Sequence, residues 1–194
     1  MSQQTIPALP PRPSPAMPAM PPLPSRPERR ADNVPRPNPR EWRQGIPAPA
    51  RMLTVRSLPT AGLWVVGAHG GSGESVIAAL NSYWMAAEHC FPTMGDILIC
   101  CRTSAYGLEC GRMALQQYLA GLAGCGRLIG LAIVADMPGK IPKELKQLGG
   151  LTRSLAPTTG EFPFDKTLRL EPYPPTNQDR FGRQRSLIES LIGS

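Results

Sequence analysis

Three apolar runs of strand length dominate the pattern of hydrophobic and polar positions between residues 60 and 140. None of the three alternates with polar residues, which is typical of strands covered on both faces of a parallel sheet. Each run is followed by a segment whose apolar residues recur at helical spacing. The strands are predicted at residues 63–66, 96–102 and 128–135, and the helices at residues 75–89, 108–122 and 142–148. Three strand–helix repeats predict an α/β fold with three layers and an open, mainly parallel sheet.

The pattern is weaker outside these repeats. Residues 51–59 favour an edge strand, residues 151–155 favour a last strand, and residues 161–165 are predicted to form a loop. Gly149 and Gly150 are expected to end the third helix, and residues 178–192 are typical of an amphipathic closing helix. The residues expected in the core are Val76, Ile77, Leu80, Tyr83, Trp84 and Ala87 of the first helix and Leu187, Ile188, Leu191 and Ile192 of the last.

Composition separates the first part of the chain from the rest. Of the 24 prolines, 16 lie in the first 60 residues. The same 60 residues contain nine arginines and three acidic residues, and thus account for +6 of the net charge of +7. Proline removes backbone donors and the sparse apolar residues have no period, so residues 1–55 are predicted to be a disordered tail and residues 56–194 the folded domain. The tail is either a solvated linker or an interaction arm. Its PxxP spacing suits a protein partner, and its arginines suit non-specific contact with nucleic acid.

Cysteine usage and hydropathy predict the compartment. The five cysteines are odd in number and form no CxxC pair, which favours buried, reduced thiols in a cytoplasmic protein. No apolar stretch approaches the length of a membrane span, and prolines occupy the place where a signal peptide needs its apolar core. We therefore expect a soluble cytoplasmic protein without a membrane span.

A glycine-rich segment joins the first strand to the first helix, and it is the strongest candidate for chemistry. A turn of this kind leaves backbone N–H groups unpaired and directs them, with the positive end of the helix dipole, at one point where an anion fits. The candidate phosphate-loop residues are Gly67, His69, Gly70, Gly71, Ser72, Gly73, Glu74, Ser75 and Val76.

At the level of motif, residues 69–75 resemble the deviant phosphate loop of the ParA/MinD family of P-loop ATPases, whose pattern is Lys-Gly-Gly-x-Gly-Lys-Ser/Thr. The glycines and the final hydroxyl match. His69 and Glu74 stand where the family has its two lysines, and Cys101 and Arg102 end the second strand where the family has an acid for magnesium. The resemblance spans residues 63–165 and implies a trimmed P-loop fold, with ATP and magnesium as weak ligands at most and Ser75 as the remaining magnesium contact.

The two exchanged charges suggest one hypothesis. If the fold is that of a P-loop protein, the start of the first helix and the end of the second strand are neighbours. Glu74 and Arg102 are then expected to face each other and to occupy the space that phosphate and metal fill in a P-loop ATPase. Otherwise Glu74 is an ordinary first-turn acid and Arg102 points to solvent. Arg102, Thr103 and Asp136 follow strand ends and are the predicted lining of the crevice.

Two functions remain open under this resemblance. The first is a non-catalytic adaptor, or pseudo-ATPase, in DNA transfer, partition or secretion. The arrangement is similar to proteins that actinobacteria encode on conjugative or plasmid-like elements and beside specialised secretion machines. The second is an active ATP-binding switch of the ParA/MinD type. A short-chain dehydrogenase is disfavoured because no tyrosine is followed by lysine at the fourth position, and a serine hydrolase because no Gly-x-Ser-x-Gly elbow is present.

Overall fold

The computed structural model describes residues 48–169 and 181–192. The predicted tail, apart from its last residues, lies outside this described part of the chain. Seven strands and four helices occur within it. In chain order they are β1 (Thr54–Arg56), β2 (Leu63–Gly67), α1 (Glu74–Ala78), β3 (Trp84–Ala86), β4 (Cys90–Pro92), β5 (Asp96–Arg102), α2 (Ala105–Leu119), β6 (Arg127–Val134), α3 (Lys143–Arg153), β7 (Thr159–Phe162) and α4 (Gly182–Ile192).

The main sheet has five strands in the order β3-β2-β5-β6-β7, and every neighbouring pair is parallel. The prediction of an α/β protein with a mainly parallel sheet is confirmed. The strand order reverses at β2, which has β3 on one side and β5 on the other. Such a reversal is the topological switch point of a doubly wound sheet, where ligands bind outside the carboxyl ends of the strands.

Helices cover both faces of this sheet, which explains the uninterrupted apolar strands. On one face α2, α3 and the small parallel sheet β1–β4 pack against Trp64, Val66, Ile97 and Ile99. On the other face α1 and α4 pack against side chains such as Leu63 and Val65. Because successive strand residues point to opposite faces, both sets of positions must be apolar.

The first predicted helix is much shorter than expected. α1 ends at Ala78, and Asn81 turns the chain by accepting the backbone N–H of Trp84 through its carbonyl and that of Tyr83 through its side chain. Trp84 is buried in β3, whereas Tyr83 is 76% exposed, so the prediction of Tyr83 as a core residue is wrong. The apolar spacing fits a helix, but pairing of β3 with β2 buries Trp84 in strand form.

Several other boundaries also differ from the predictions. α2 begins three residues earlier because Ser104 caps it, with Oγ accepting the N–H of Gly107 at 3.0 Å. α3 continues through Gly149 and Gly150, so the strand predicted at 151–155 is instead the end of a helix and a turn. The last strand, β7, overlaps the predicted loop, and β1 pairs with β4 rather than with the main sheet. In α4, Ile188 is buried as predicted but Leu187 is 39% exposed.

A buried glutamine attaches the segment before β1 to helix α2. Gln117 is 1% exposed, accepts the N–H of Leu53 at 2.7 Å, and donates to the carbonyls of Leu53 at 2.8 Å and Leu122 at 3.0 Å. The Gln117 amide thereby satisfies the backbone N–H and carbonyl of Leu53, the residue just before β1.

Four cysteines (Cys90, Cys100, Cys101 and Cys110) are buried free thiols, as predicted, whereas Cys125 is exposed. Burial raises the pKa of Cys101 to about 12, which keeps this thiol protonated. Within the described ranges, no helix has the length and apolar character needed to cross a membrane.

Candidate functional site

Three loops meet at the carboxyl edge of the sheet, beside the switch point. They follow β2, β5 and β6, and Arg102 at the end of β5 joins the other two. Its Nε donates to the carbonyl of Gly71 at 2.6 Å, and its Nη1 lies 3.4 Å from Oδ1 of Asp136. Thr103 Oγ1 accepts the backbone N–H of Asp136 at 2.9 Å. The predicted crevice residues Arg102, Thr103 and Asp136 are therefore brought together.

His69 fastens the loop after β2 to the end of β5. The ring is 8% exposed, and its Nε2 accepts the backbone N–H of Arg102 at 3.2 Å. Its Nδ1 lies 2.8 Å from the carbonyl oxygen of Gly70, which requires a donor. These bonds assign the proton to Nδ1 and make the imidazole neutral. At the position of the family's signature lysine, the chain thus has an uncharged group already bound to backbone.

Glu74 is the first residue of α1 and is only 6% exposed. Its Oε2 lies 3.1 Å from Nδ1 of His89, and its Oε1 accepts the backbone N–H of His89 at 3.3 Å. The partners of the Arg102 side chain, in contrast, are the Gly71 carbonyl and Asp136. The predicted pairing of Glu74 with Arg102 is wrong, because each charge has a partner from a different loop. Neither is a simple exposed charge.

His89 is the site residue that sequence reasoning missed. Its Nδ1 also lies 3.1 Å from the carbonyl oxygen of Gly67, so Nδ1 faces two acceptors and carries the proton in either charge state of the ring. Glu88 and His89 both have positive φ, 54° and 58°, which is uncommon for residues other than glycine. A single histidine at the end of a predicted helix offers no signal of this contact, because it is the shortness of α1 that lets the chain bring His89 back to the loop.

The side chains packed against Gly67 leave no room for a Cβ at this position. A Cβ at this position would lie 2.6 Å from Glu74 Oε2, His89 Nδ1 and Ser72 Oγ. Ser72 is itself buried and accepts a hydrogen bond from the thiol of Cys100, with Sγ and Oγ 3.4 Å apart. Burial raises the pKa of the Cys100 thiol, and the hydrogen bond with Ser72 opposes this shift in part.

The other loop glycines differ in their surroundings. Gly71 and Gly73 have positive φ, 76° and 97°, and a Cβ on Gly73 would lie 3.0 Å from Val134. The outer side of Gly70 and Gly71 is open, with no atom within 4 Å of a Cβ there. Ser75 is exposed and Val76 is half-buried at the start of α1. The loop therefore presents backbone to solvent at its tip and packs on β6 at its base.

A small cavity of about 90 Å³ lies next to the loop, at the carboxyl ends of β6 and β7. Its wall is mostly apolar, with Arg102 and Asp165 as its charged members. The lining residues are Gly73, Val76, Ile77, Arg102, Val134, Ala135, Phe162, Pro163, Phe164, Asp165, Leu168 and Phe181.

The residues present do not fit a magnesium nucleotide. Arg102 ends β5 where the resemblance requires an acid. α1 has only five residues, so few peptide dipoles align behind the loop. In the described part of the chain, no cluster of three or more His, Cys, Asp or Glu residues is placed to hold a metal. Ser75 alone does not make a magnesium site.

Comparison with known proteins gives one match. Residues 61–182 match the model of a family of unknown function, DUF6668, and this range contains the glycine-rich loop and all five strands of the main sheet. No curated protein and no solved structure matches the chain.

Proposed function

The chain belongs to the DUF6668 family, and we propose that it is a non-catalytic adaptor built on a ParA/MinD-like P-loop design, with a phosphate loop that its own side chains occupy. The observation that carries this proposal is the buried carboxylate of Glu74, held by His89 at the position of the phosphate-binding lysine. The role we infer is docking to a protein partner in DNA transfer, partition or secretion.

The polar groups around the loop support this proposal because they are already used. Arg102 binds Gly71 and Asp136, and neutral His69 binds Gly70 and the backbone of Arg102. A bound phosphate would have to displace these contacts without a lysine to replace them. The cost of breaking a charged hydrogen bond is about 1.5–3 kcal/mol.

Electrostatics argues in the same direction. At an effective dielectric constant of about 20, a unit negative charge roughly 6 Å from an ionised carboxylate is repelled by about 3 kcal/mol. That energy corresponds to roughly a hundredfold in affinity for each phosphate charge at that distance. A triphosphate beside Glu74 is therefore disfavoured, whereas a lysine at the same position would attract it.

Two features of the chain support an interaction role. The proline-rich segment before the domain has the PxxP spacing that aromatic-lined grooves recognise, and its arginines suit an acidic or nucleic-acid partner. On the domain, Met85 of the edge strand β3 is 43% exposed, and Tyr83, which directly precedes this strand, is 76% exposed. Exposed aromatic and methionine side chains are enriched at interfaces.

The second candidate is an ATP-binding switch. The open backbone at Gly70 and Gly71 favours it, because a Cβ on either glycine would meet no atom of the described residues within 4 Å. Under this alternative the N–H groups of the loop would bind phosphate without a lysine, and Arg102 would leave Asp136 to supply the positive charge.

Isothermal titration with ATP and magnesium separates the two. We expect no saturable binding at micromolar concentrations for the wild type, and a gain in affinity for Glu74→Lys. Glu88→Lys is the matched control, because Glu88 is an exposed glutamate one residue from His89 and makes the same change in net charge. Micromolar binding by the wild type would establish the switch instead. Equal gains in both variants would show that net charge, rather than the loop, is responsible.

A further inference from the structure

We propose that the 90 Å³ cavity beside Arg102 binds a short-chain carboxylate, with the apolar body inside the cavity and the carboxylate on the guanidinium. This inference is independent of the adaptor role, since it concerns a small ligand and not the partner. It also differs from a phosphate site at the loop tip, because the cavity is lined by Gly73 and not by Gly70 or Gly71.

The volume and lining define the apolar part of the ligand. A water molecule occupies about 30 Å³ in the liquid, so the cavity accommodates an apolar group with the bulk of roughly three waters. This matches a branched chain of about four or five carbons. Phe162, Phe164, Phe181 and Leu168 form an apolar wall, and such a wall gives water few hydrogen-bonding partners. An aliphatic group is therefore favoured over solvent.

Arg102 defines the polar end of the ligand. Its Nε and Nη1 have partners in Gly71 and Asp136, and none of the hydrogen bonds between described residues uses Nη2. The contact with Asp136 is long, 3.4 Å. A guanidinium pairs with a carboxylate in a forked geometry that a neutral group does not reproduce. The arginine thus has donor capacity for one carboxylate.

The surroundings agree with this orientation. The cavity lies at the carboxyl ends of β6 and β7, the edge at which open α/β sheets bind ligands. Asp165, the other charged lining residue, already has an interaction within the protein. The ligand's carboxylate is therefore expected to approach Arg102 rather than the Asp165 end of the cavity.

A titration of the full chain followed by methyl chemical shifts tests the proposal. The probe is 3-methylbutanoate, and two compounds are compared with it. 3-Methylbutanamide has the same shape without the charge, and acetate has the charge without the branched apolar chain. We expect saturable shifts at Val76, Ile77 and Val134, with a Kd of about 1 mM and at least tenfold weaker binding of both comparators. Equal affinity for acid and amide, or no saturable shift at these residues, would overturn the proposal.

Two variants locate the interaction. Arg102→Gln is expected to remove the preference for the acid over the amide, whereas Arg112→Gln, which removes a partly exposed guanidinium from α2, leaves it unchanged. Ala135→Leu fills the cavity and keeps Arg102, so it is expected to abolish binding of both compounds. Thermal unfolding of each variant establishes that it is folded. Unchanged acid binding in folded Arg102→Gln or Ala135→Leu would refute the site.

Discussion

Replacing Gly67 with alanine tests the central feature of the loop, the packing of three polar groups directly over the end of β2. The new Cβ would lie 2.6 Å from Glu74 Oε2, His89 Nδ1 and Ser72 Oγ. Contacts this short force at least one of these groups to move. Overpacking of this kind costs about 1–3 kcal/mol. Separation of the Glu74–His89 pair adds about 1.5–3 kcal/mol, because the buried carboxylate loses a charge-assisted partner.

We therefore expect Gly67→Ala to lower the free energy of unfolding by about 2.5–6 kcal/mol, a large fraction of the roughly 5–15 kcal/mol of an ordinary domain. The assay is urea unfolding followed by circular dichroism and tryptophan fluorescence. Gly70→Ala is the matched control, since it lies in the same loop and its Cβ would meet no atom within 4 Å. Alanine there restricts the unfolded chain, so it is neutral or stabilising by up to about 1 kcal/mol.

The comparison of the two variants decides the matter. If Gly67→Ala unfolds within about 0.5 kcal/mol of Gly70→Ala, ordinary surface variation explains the difference and the cluster of Glu74, His89 and Ser72 is not packed as described. A large loss in both variants would also refute the reasoning, because it would assign the effect to loop flexibility rather than to the groups above Gly67.

Three further predictions follow from other parts of the fold. Gln117→Leu is expected to destabilise the protein by about 2–4 kcal/mol in urea unfolding, because Leu53 and Leu122 lose buried hydrogen bonds, whereas Gln116→Leu on the same helix has little effect. A thiol reagent at pH 8 should modify one cysteine, Cys125, in the folded protein and all five in urea; rapid reaction of more than one folded thiol contradicts the burial of the other four. The Arg112 contact lowers the pKa of Glu109 below 4.5, so it stabilises the fold above that pH and the contribution is lost as pH falls through the lowered value. Because both side chains are partly exposed to water, Arg112→Gln should cost under about 1 kcal/mol at pH 7, and a loss that persists unchanged at pH 3 excludes this mechanism.

The strands and the layer arrangement were predictable because their signal is local. Residues 96–102 are β5, and the runs at 63–66 and 128–135 match β2 and β6 within a residue. An apolar run without alternation has few other ways to bury both sides. The helix at 75–89 failed for the opposite reason, since Leu80, Trp84 and Ala87 satisfy helical spacing while the sheet edge offers Trp84 a better partner in Leu63. The spacing of apolar residues along the chain does not show whether a helix or pairing with a neighbouring strand is more stable.

The structure brings three of the predicted site residues together, and it gives Glu74 a different partner from the predicted one. Strand-end positions identified Arg102, Thr103 and Asp136 as neighbours, because the carboxyl ends of parallel strands share one edge. The pairing of Glu74 depended on where the chain goes after α1, and a helix five residues long brings His89 within reach where a longer helix would carry it away. The charges in the sequence therefore indicate which residues need ion-pair or hydrogen-bond partners, whereas the lengths of the helices and loops determine which residues become those partners.

The adjacency of His89 and β4 has a mechanical consequence. β4 begins at Cys90, the residue after His89, and pairs with β1, which lies only a few residues after the start of the described chain at residue 48. A pull on the amino-terminal side would load the hydrogen bonds between Leu53 and Gln117 first, then the pairing of β1 with β4, and then the imidazole that holds the Glu74 carboxylate. A force applied before β1 therefore reaches the glycine-rich loop through the pairing of β1 with β4, two strands of three residues each.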